Sequence, residues 1–223
     1  MAVVDSRYLF TLVDVGAPGR LSDGGIFKDS PIGQRLNKGK LNLPRAQQLP
    51  GTSTLVPHVF IGDEAFQLRP DFLRPLPGTR KRPEEVIYNY RLSRARRCVE
   101  NAFGILASRW SIYDRRINLE PENAENVVKA TCALHNFLCI STGAAAHYCP
   151  PGYADVEDTF GNVREGAWRA EGGGGAAMFQ LQGTKARKSA QSAVRVRAEF
   201  VNFFSNEGQV SWQWNLPGVH VVQ

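Results

Sequence analysis

The stretch Arg91-Leu-Ser-Arg-Ala-Arg-Arg-Cys-Val-Glu-Asn-Ala-Phe-Gly-Ile-Leu106 sits inside a longer segment, from about Glu84 to Trp110, whose periodicity decides the reading of this chain. Leu92, Val99, Phe103, Leu106 and Trp110 recur at steps of seven, four, three and four. Those steps return to one face of a 3.6-residue turn, so the segment predicts a long amphipathic helix. Glu100 lies one residue's rotation from that stripe, at the border of a core. Gly104 costs about 1 kcal/mol against Ala inside a helix, so another backbone or a ligand is expected to approach that face closely. The alternative is an Arg97–Glu100 surface pair worth roughly a few tenths of a kcal/mol.

The same segment carries the charge. Between Arg80 and Arg116, ten Lys or Arg stand against four Asp or Glu, an excess equal to the net +6 of the whole chain. Concentrated cations suit a polyanion, because neutralised phosphates release counterions. A solvated helix face would carry the same count.

Upstream, residues 2–14 predict two strands around a tight Asp5-Ser6-Arg7 turn, ended by Gly16-Ala-Pro-Gly19. Ser22 or Asp23 would cap a helix from about Gly24 to Asn37, followed by a loop over 38–56. Val56 to Gly62 predicts a buried strand with Asp63 just past its end. Gly62 removes a side chain that would block approach to the backbone. Asp63 is then a turn residue or an active-site carboxylate. The four prolines between Gln67 and Pro83 mark a loop. Downstream, 111–119 is extended, and Pro121 opens a helix to about Cys139 with Val127, Thr131, Leu134 and Leu138 as its buried stripe. Residues 143–184, with Gly143-Ala-Ala-Ala and Gly172–Gly175, predict an extended, partly disordered excursion, and Ala186–Phe204 a last helix. The order is an α/β pattern, with a domain over 1–140 and a flexible linker and helical tail over 141–223.

Several classes are excluded. No run approaches the roughly 18 apolar residues of a membrane helix, and Asp5 interrupts the apolar start that a secretory leader needs. Four irregularly spaced cysteines suit a reducing compartment better than a disulfide framework. Cys132 and Cys139 would lie about 10.5 Å apart along a helix, too far to share a zinc ion with His135. His135 is therefore a packed or capping side chain. No serine-hydrolase elbow or phosphate loop occurs.

A pair of carboxylates has a specific use. Two of them about 4 Å apart repel by roughly 4 kcal/mol at an effective dielectric near 20, and a hard divalent cation converts that repulsion into binding. Two such ions support in-line displacement at phosphorus.

Four stretches together resemble Harbinger-type transposases and their domesticated derivatives over residues 1–140. They are Val13-Asp-Val-Gly-Ala-Pro-Gly-Arg-Leu-Ser-Asp-Gly-Gly-Ile-Phe27, Val56-Pro-His-Val-Phe-Ile-Gly-Asp-Glu-Ala-Phe66, the Arg91–Leu106 stretch and Leu134-His-Asn-Phe-Leu138. The resemblance implies a ribonuclease-H-like mixed sheet flanked by helices and a DNA endonuclease using Mg²⁺ or Mn²⁺. It makes Asp63 and Glu100 the second and third of three metal-binding catalytic carboxylates. It implies non-specific phosphate contacts to DNA centred on Arg91, Arg94, Arg96 and Arg97. It also implies a separate Myb-like DNA-binding partner protein, no membrane, and a place in the nucleus or cytoplasm. The family's first strand, with its Asp-Gly-Thr-His-like segment, has no counterpart here, so an N-terminally truncated domain with little or no cleavage of its own is expected. Asp14 and Asp23 are structural on this reading, Asp23 as a helix cap. The alternative function is a non-catalytic DNA- or protein-binding module that keeps the nuclease fold.

Overall fold

A computed structural model describes residues 1–17, 22–171 and 189–219. The chain is mixed α/β. Its strands are β1 (Ala2–Val4), β2 (Phe10–Val13), β3 (Gln47–Gln48), β4 (Leu55–Val56), β5 (Phe60–Ile61), β6 (Phe72–Leu73), β7 (Val156–Glu157) and β8 (Val163–Arg164). Its α-helices are α1 (Asp23–Asp29), α2 (Pro31–Asn37), α3 (Pro83–Arg109), α4 (Pro121–Ile140), α5 (Ala145–Tyr148), α6 (Trp168–Glu171) and α7 (Gln191–Ser205). One continuous mixed sheet was expected; among the described residues the strands form four two-stranded pairs, of which only β5–β6 is parallel. None of the described helices is long and apolar enough to cross a membrane.

The predicted helix over 24–37 is broken in two. Pro31 lacks the N–H that would continue it and disfavours helical geometry at Ser30, so α1 stops at Asp29 and α2 starts afresh. The predicted strand over 56–62 is likewise split between β4 and β5.

Two compact units form. The first comprises the described parts of Met1–Leu21, Ser30–Ile32 and Arg97–Gln180; the second, those of Ser22–Asp29, Gly33–Arg96 and Leu181–Gln223. Helix α3 gives its later half to the first and its earlier half to the second.

In the first unit β1 and β2 pair antiparallel, Ala2 opposite Val13, with a register shift after Val3. Phe10, Ala102, Leu106 and Cys132 form a core with Phe103, Trp110 and Val128 around it. A second cluster joins Ile105 to Tyr148, Tyr153 and Ala154, with Leu138 and Trp168 against it. Here the structure corrects the sequence reading: 145–171 is not an extended excursion but supplies buried aromatic residues to a core. The rest of that predicted excursion, 172–184, lies outside the described residues. The α4 stripe is also rotated. Thr131, Cys132 and His135 are its buried residues, while Leu134 is 45% exposed. Polar side chains can take the inner face because they find partners there, the Thr131 hydroxyl with that of Tyr113 and His135 as described below.

In the second unit Leu68, Leu73, Tyr88, Leu92 and Ala193 form the core, with Val196, Phe200 and Phe204 of α7 packed on it. The helix expected as a tail is therefore a core element. A smaller cluster stacks Phe66 on Phe72 at 5.0 Å and sets Phe27 edge-on to both.

Gly104 has its reason in the first unit. A Cβ there would enter the Trp168 indole. What approaches this face is a side chain of the same chain, 64 residues on, and neither a backbone nor a ligand. Gly104→Ala should therefore destabilise by about 1–3 kcal/mol through overpacking. In a Trp168→Ala background the same change should stabilise by up to about 1 kcal/mol, its helix-propensity gain. Chemical denaturation of the four proteins measures the cycle; equal effects in both backgrounds would dismiss the steric account.

Candidate functional site

Asp63 leaves β5 through a turn that is held on several sides. The Gly62 N–H donates to the Leu73 carbonyl at 3.0 Å, continuing the β5–β6 ladder. A Cβ on Gly62 would lie 2.6 Å from the Phe72 ring, so glycine lets the strand close over the aromatic cluster. The Ala65 N–H donates to Asp63 Oδ1 at 2.9 Å, and Arg74, 8% exposed, donates from Nη1 to the carbonyls of Glu64 and Phe66 at 3.0 and 3.1 Å. A buried guanidinium thus ties down the two peptides that flank the turn.

Helix α1 abuts the same turn. Ser22 is its cap, since its Oγ accepts the Gly25 N–H at 3.3 Å. Asp23 is the first helical residue and not the cap. A Cβ on Gly24 would stand 2.6 Å from the Ala65 carbonyl, which shows how closely the helix start approaches. Burial, and after it the charge of Asp63, raises the Asp23 carboxyl above the ordinary carboxylate range. Sequence reading missed this pairing of Asp23 with Asp63; two glycines flanking the acidic positions were its only trace.

Glu100 belongs to the other unit. Its neighbour Arg97 pairs with Glu157 at 3.4 Å, in place of the Arg97–Glu100 surface pair that was the alternative reading of this face. The adjoining Asn101, 2% exposed, accepts the Trp168 indole N–H at 2.8 Å and the Asp155 N–H at 3.0 Å through the same oxygen. Arg169 grips Asp155 at 2.6 and 2.9 Å and is held charged chiefly by that carboxylate, more weakly by Glu165 and Glu100. Among the described residues, neither the Glu100 carboxylate nor the Oδ2 of Asp63 takes part in a hydrogen bond. Hard carboxylate oxygens without protein donors are the chemistry a divalent cation takes, so these residues fit such an ion. No three His, Cys, Asp or Glu side chains group as a metal site among the described residues.

The arginines of the basic helix are mostly occupied. Arg91 donates to the Gly208 carbonyl and to Gln213 Oε1 at 3.2 and 3.4 Å and lies over the Phe204 ring at 4.7 Å. Arg94 stacks over Trp212 at 4.6 Å. Arg96 is half-buried. Counting charges could not foresee that these cations serve as packing surface.

The Leu134–Leu138 signature has an architectural meaning. Asn136 accepts the Phe10 N–H and donates to the Phe10 carbonyl, both at 2.8 Å, taking the place of a neighbouring strand. His135, fully buried, donates from Nε2 to the Tyr8 carbonyl at 2.9 Å, so its Nδ1 accepts from the Tyr148 hydroxyl at 2.9 Å. That hydroxyl accepts in turn from the Trp110 indole at 3.2 Å. Burial raises the Cys139 thiol to about 11, which keeps it protonated at neutral pH.

The profile of the DDE superfamily endonucleases matches residues 1–136. The chain belongs to that family. The Protein ALP1-like of Arabidopsis thaliana is 31% identical over 140 residues, covering 61% of this chain and 34% of that protein, so the chain spans about a third of that relative's length. No solved structure matches.

The buried imidazole makes stability depend on pH. Burial lowers the His135 pKa below its ordinary value of about 6.5. The unfolded chain therefore takes up this proton first as pH falls. The contribution is whole above about pH 6.5 and is lost as pH drops from there through the lowered folded value. Urea midpoints should fall from pH 7 to pH 5. His135→Gln should start lower and change less across that window; an equal slope would assign the effect to other groups.

Proposed function

We propose that the chain is the divalent-metal-dependent phosphodiester-transfer domain of a Harbinger-type, transposase-derived nuclease of ribonuclease-H-like class, with Asp63 and Glu100 as metal-binding catalytic carboxylates. The carrying observation is that both carboxylates keep oxygens that no described protein group bonds, in a chain of the DDE endonuclease family. Mg²⁺ or Mn²⁺, when bound, supplies water activation and stabilisation of the leaving 3′ oxygen. The chain's own part is to hold acid oxygens still. Arg74 and the Ala65 N–H fix the Asp63 turn, and Asp23 adds a second acid beside it, whose raised pKa a cation would lower again. A separate Myb-like DNA-binding protein is the partner the resemblance adds.

Mn²⁺ titration followed by electron paramagnetic resonance tests the carboxylates. Asp63→Asn and Glu100→Gln should each weaken binding by about tenfold or more and abolish any Mg²⁺-dependent nicking of plasmid DNA. Binding unchanged in both variants would remove the assignment. The second reading, a non-catalytic module, is favoured by Arg169, whose cation near Glu100 can serve that carboxylate without a metal.

We further propose that the basic helix α3 contacts DNA phosphates without sequence preference. Because Arg91, Arg94 and Arg97 have internal partners, the contacts fall mainly to Arg96. Arg96→Ala should reduce the slope of log affinity against log salt by about one. Arg91→Ala should lower stability and leave the slope alone. An unchanged slope in Arg96→Ala would make the helix a solvated face.

A further inference from the structure

The second unit carries cations that a charge count over 80–116 passes by. Between Asp29 and Asp63 the chain has no acid, while Arg35, Lys38, Lys40 and Arg45 all fall there, +4 over residues 30–62 against +6 for the whole chain. All four are exposed. Among the described residues, none of their side chains makes a hydrogen bond or an ion pair. Arg91, Arg94 and Arg97 of α3 are by contrast engaged inside the protein.

The turn that bears these cations is fixed. Helix α2 closes on itself at its C-terminus: the Lys40 N–H donates to the Arg35 carbonyl at 2.8 Å and the Gly39 N–H to the Leu36 carbonyl at 3.0 Å, with Gly39 at φ 63°. That closure brings Lys40 back beside Arg35. Arg35 and Lys38, three positions apart, are neighbours on the surface of α2, so three cations gather at one helix end. The helix does not need them there, because its last carbonyls already accept from the backbone, Gln34 from the Lys38 N–H at 3.1 Å included. A Cβ on Gly39 would meet nothing within 4 Å, so the space over the turn is open. The turn is also braced. Asn37 accepts from the Arg69 guanidinium, which pairs with Asp71 at 2.6 Å, and the Asp71 carbonyl accepts the Phe60 N–H at 2.9 Å. The cations therefore stand on the same β5–β6 pair from which Asp63 leaves.

What surrounds the cations selects the partner. A solvated protein face intersperses both signs, and four like charges with no acid among them repel one another. They suit a partner that is anionic wherever it is touched. Duplex DNA carries one negative charge per about 1.7 Å of its axis. Residues 30–59 contain no Phe, Trp or Tyr. The patch thus lacks the aromatic platforms on which unpaired bases stack and the aromatic wedge that seats a basic surface in a membrane. Phosphate contact to a paired duplex is the chemistry left to it.

We propose that Arg35, Lys38, Lys40 and Arg45 form the main phosphate-contacting surface of this chain and seat duplex DNA on the end of α2, with α3 adding Arg96. The inference rests on the reading of the chain as a DNA-acting domain and uses neither the metal nor the carboxylates.

The test is anisotropy of a short fluorescein-labelled duplex against the full chain over a range of salt. Lys38→Gln with Lys40→Gln should reduce the slope of log affinity against log salt by about two, and all four changes to Gln by about three to four, at an unchanged thermal midpoint. Arg164→Gln with Arg195→Gln removes the same net charge as the lysine pair from exposed positions on β8 and α7. It should change the slope by less than about one. Equal losses in the two double variants would assign binding to diffuse net charge and overturn the proposal. So would an unchanged slope in the quadruple variant, or displacement of the duplex by polyglutamate at equal charge. The nuclease reading is decided separately by Mn²⁺: loss of DNA in the quadruple variant with Mn²⁺ affinity retained supports the surface. Failure of the wild type to bind duplex overturns the surface and leaves the Mn²⁺ result standing.

Discussion

The first unit depends on one buried imidazole. His135 has hydrogen bonds at both ring nitrogens, and the direction of each follows from the other. The Tyr8 carbonyl can only accept, so Nε2 carries the proton and Nδ1 must receive one. Asn136, next in sequence, bonds both backbone groups of Phe10. Two consecutive side chains on α4 thereby attach the β1–β2 hairpin, which has no third strand among the described residues. Remove either and backbone groups are left buried without partners, at about 1–3 kcal/mol each. The Leu134–Leu138 stretch is, in this chain, a hairpin clasp.

How much of this was legible in sequence follows from the range of each interaction. Helices α3 and α4 were plain, because a 3.6-residue period needs only neighbouring residues. The β1–β2 pair was plain because its turn is local. The remaining sheets were not, since strands of two residues carry no alternation to count. The purpose of Gly104 was half legible: close approach could be inferred, but Trp168 lies far along the chain and in a stretch whose glycine and alanine content suggested disorder. The α4 stripe was misjudged because hydrophobicity says nothing of a threonine or histidine whose polar atoms are satisfied inside.

The candidate site divides the same way. Asp63 could be placed because it follows a strand and a glycine. Asp23 could not, since its approach to Asp63 rests on the start of α1 packing against Ala65, 41 positions away. The arginines show the limit of composition most clearly. Arg74 binds carbonyls, Arg91 lies over Phe204, Arg94 stacks on Trp212 and Arg97 pairs with Glu157. A charge count treats all four as equal contributors to an outward field, whereas the fold uses each as a different kind of mortar.

The clasp also bears on how the chain is made. Tyr8 holds φ at 66°, a left-handed geometry that costs an L-residue about 1–2 kcal/mol, and it keeps that geometry with its carbonyl bound to a residue 127 positions later. On a ribosome adding about 5–20 residues per second, the hairpin would wait roughly 6–25 s for α4 to be synthesised. During that interval β1 and β2 would have open edges and a strained corner, a state in which strands invite foreign partners. The hairpin is therefore synthesised well before the helix that makes it safe.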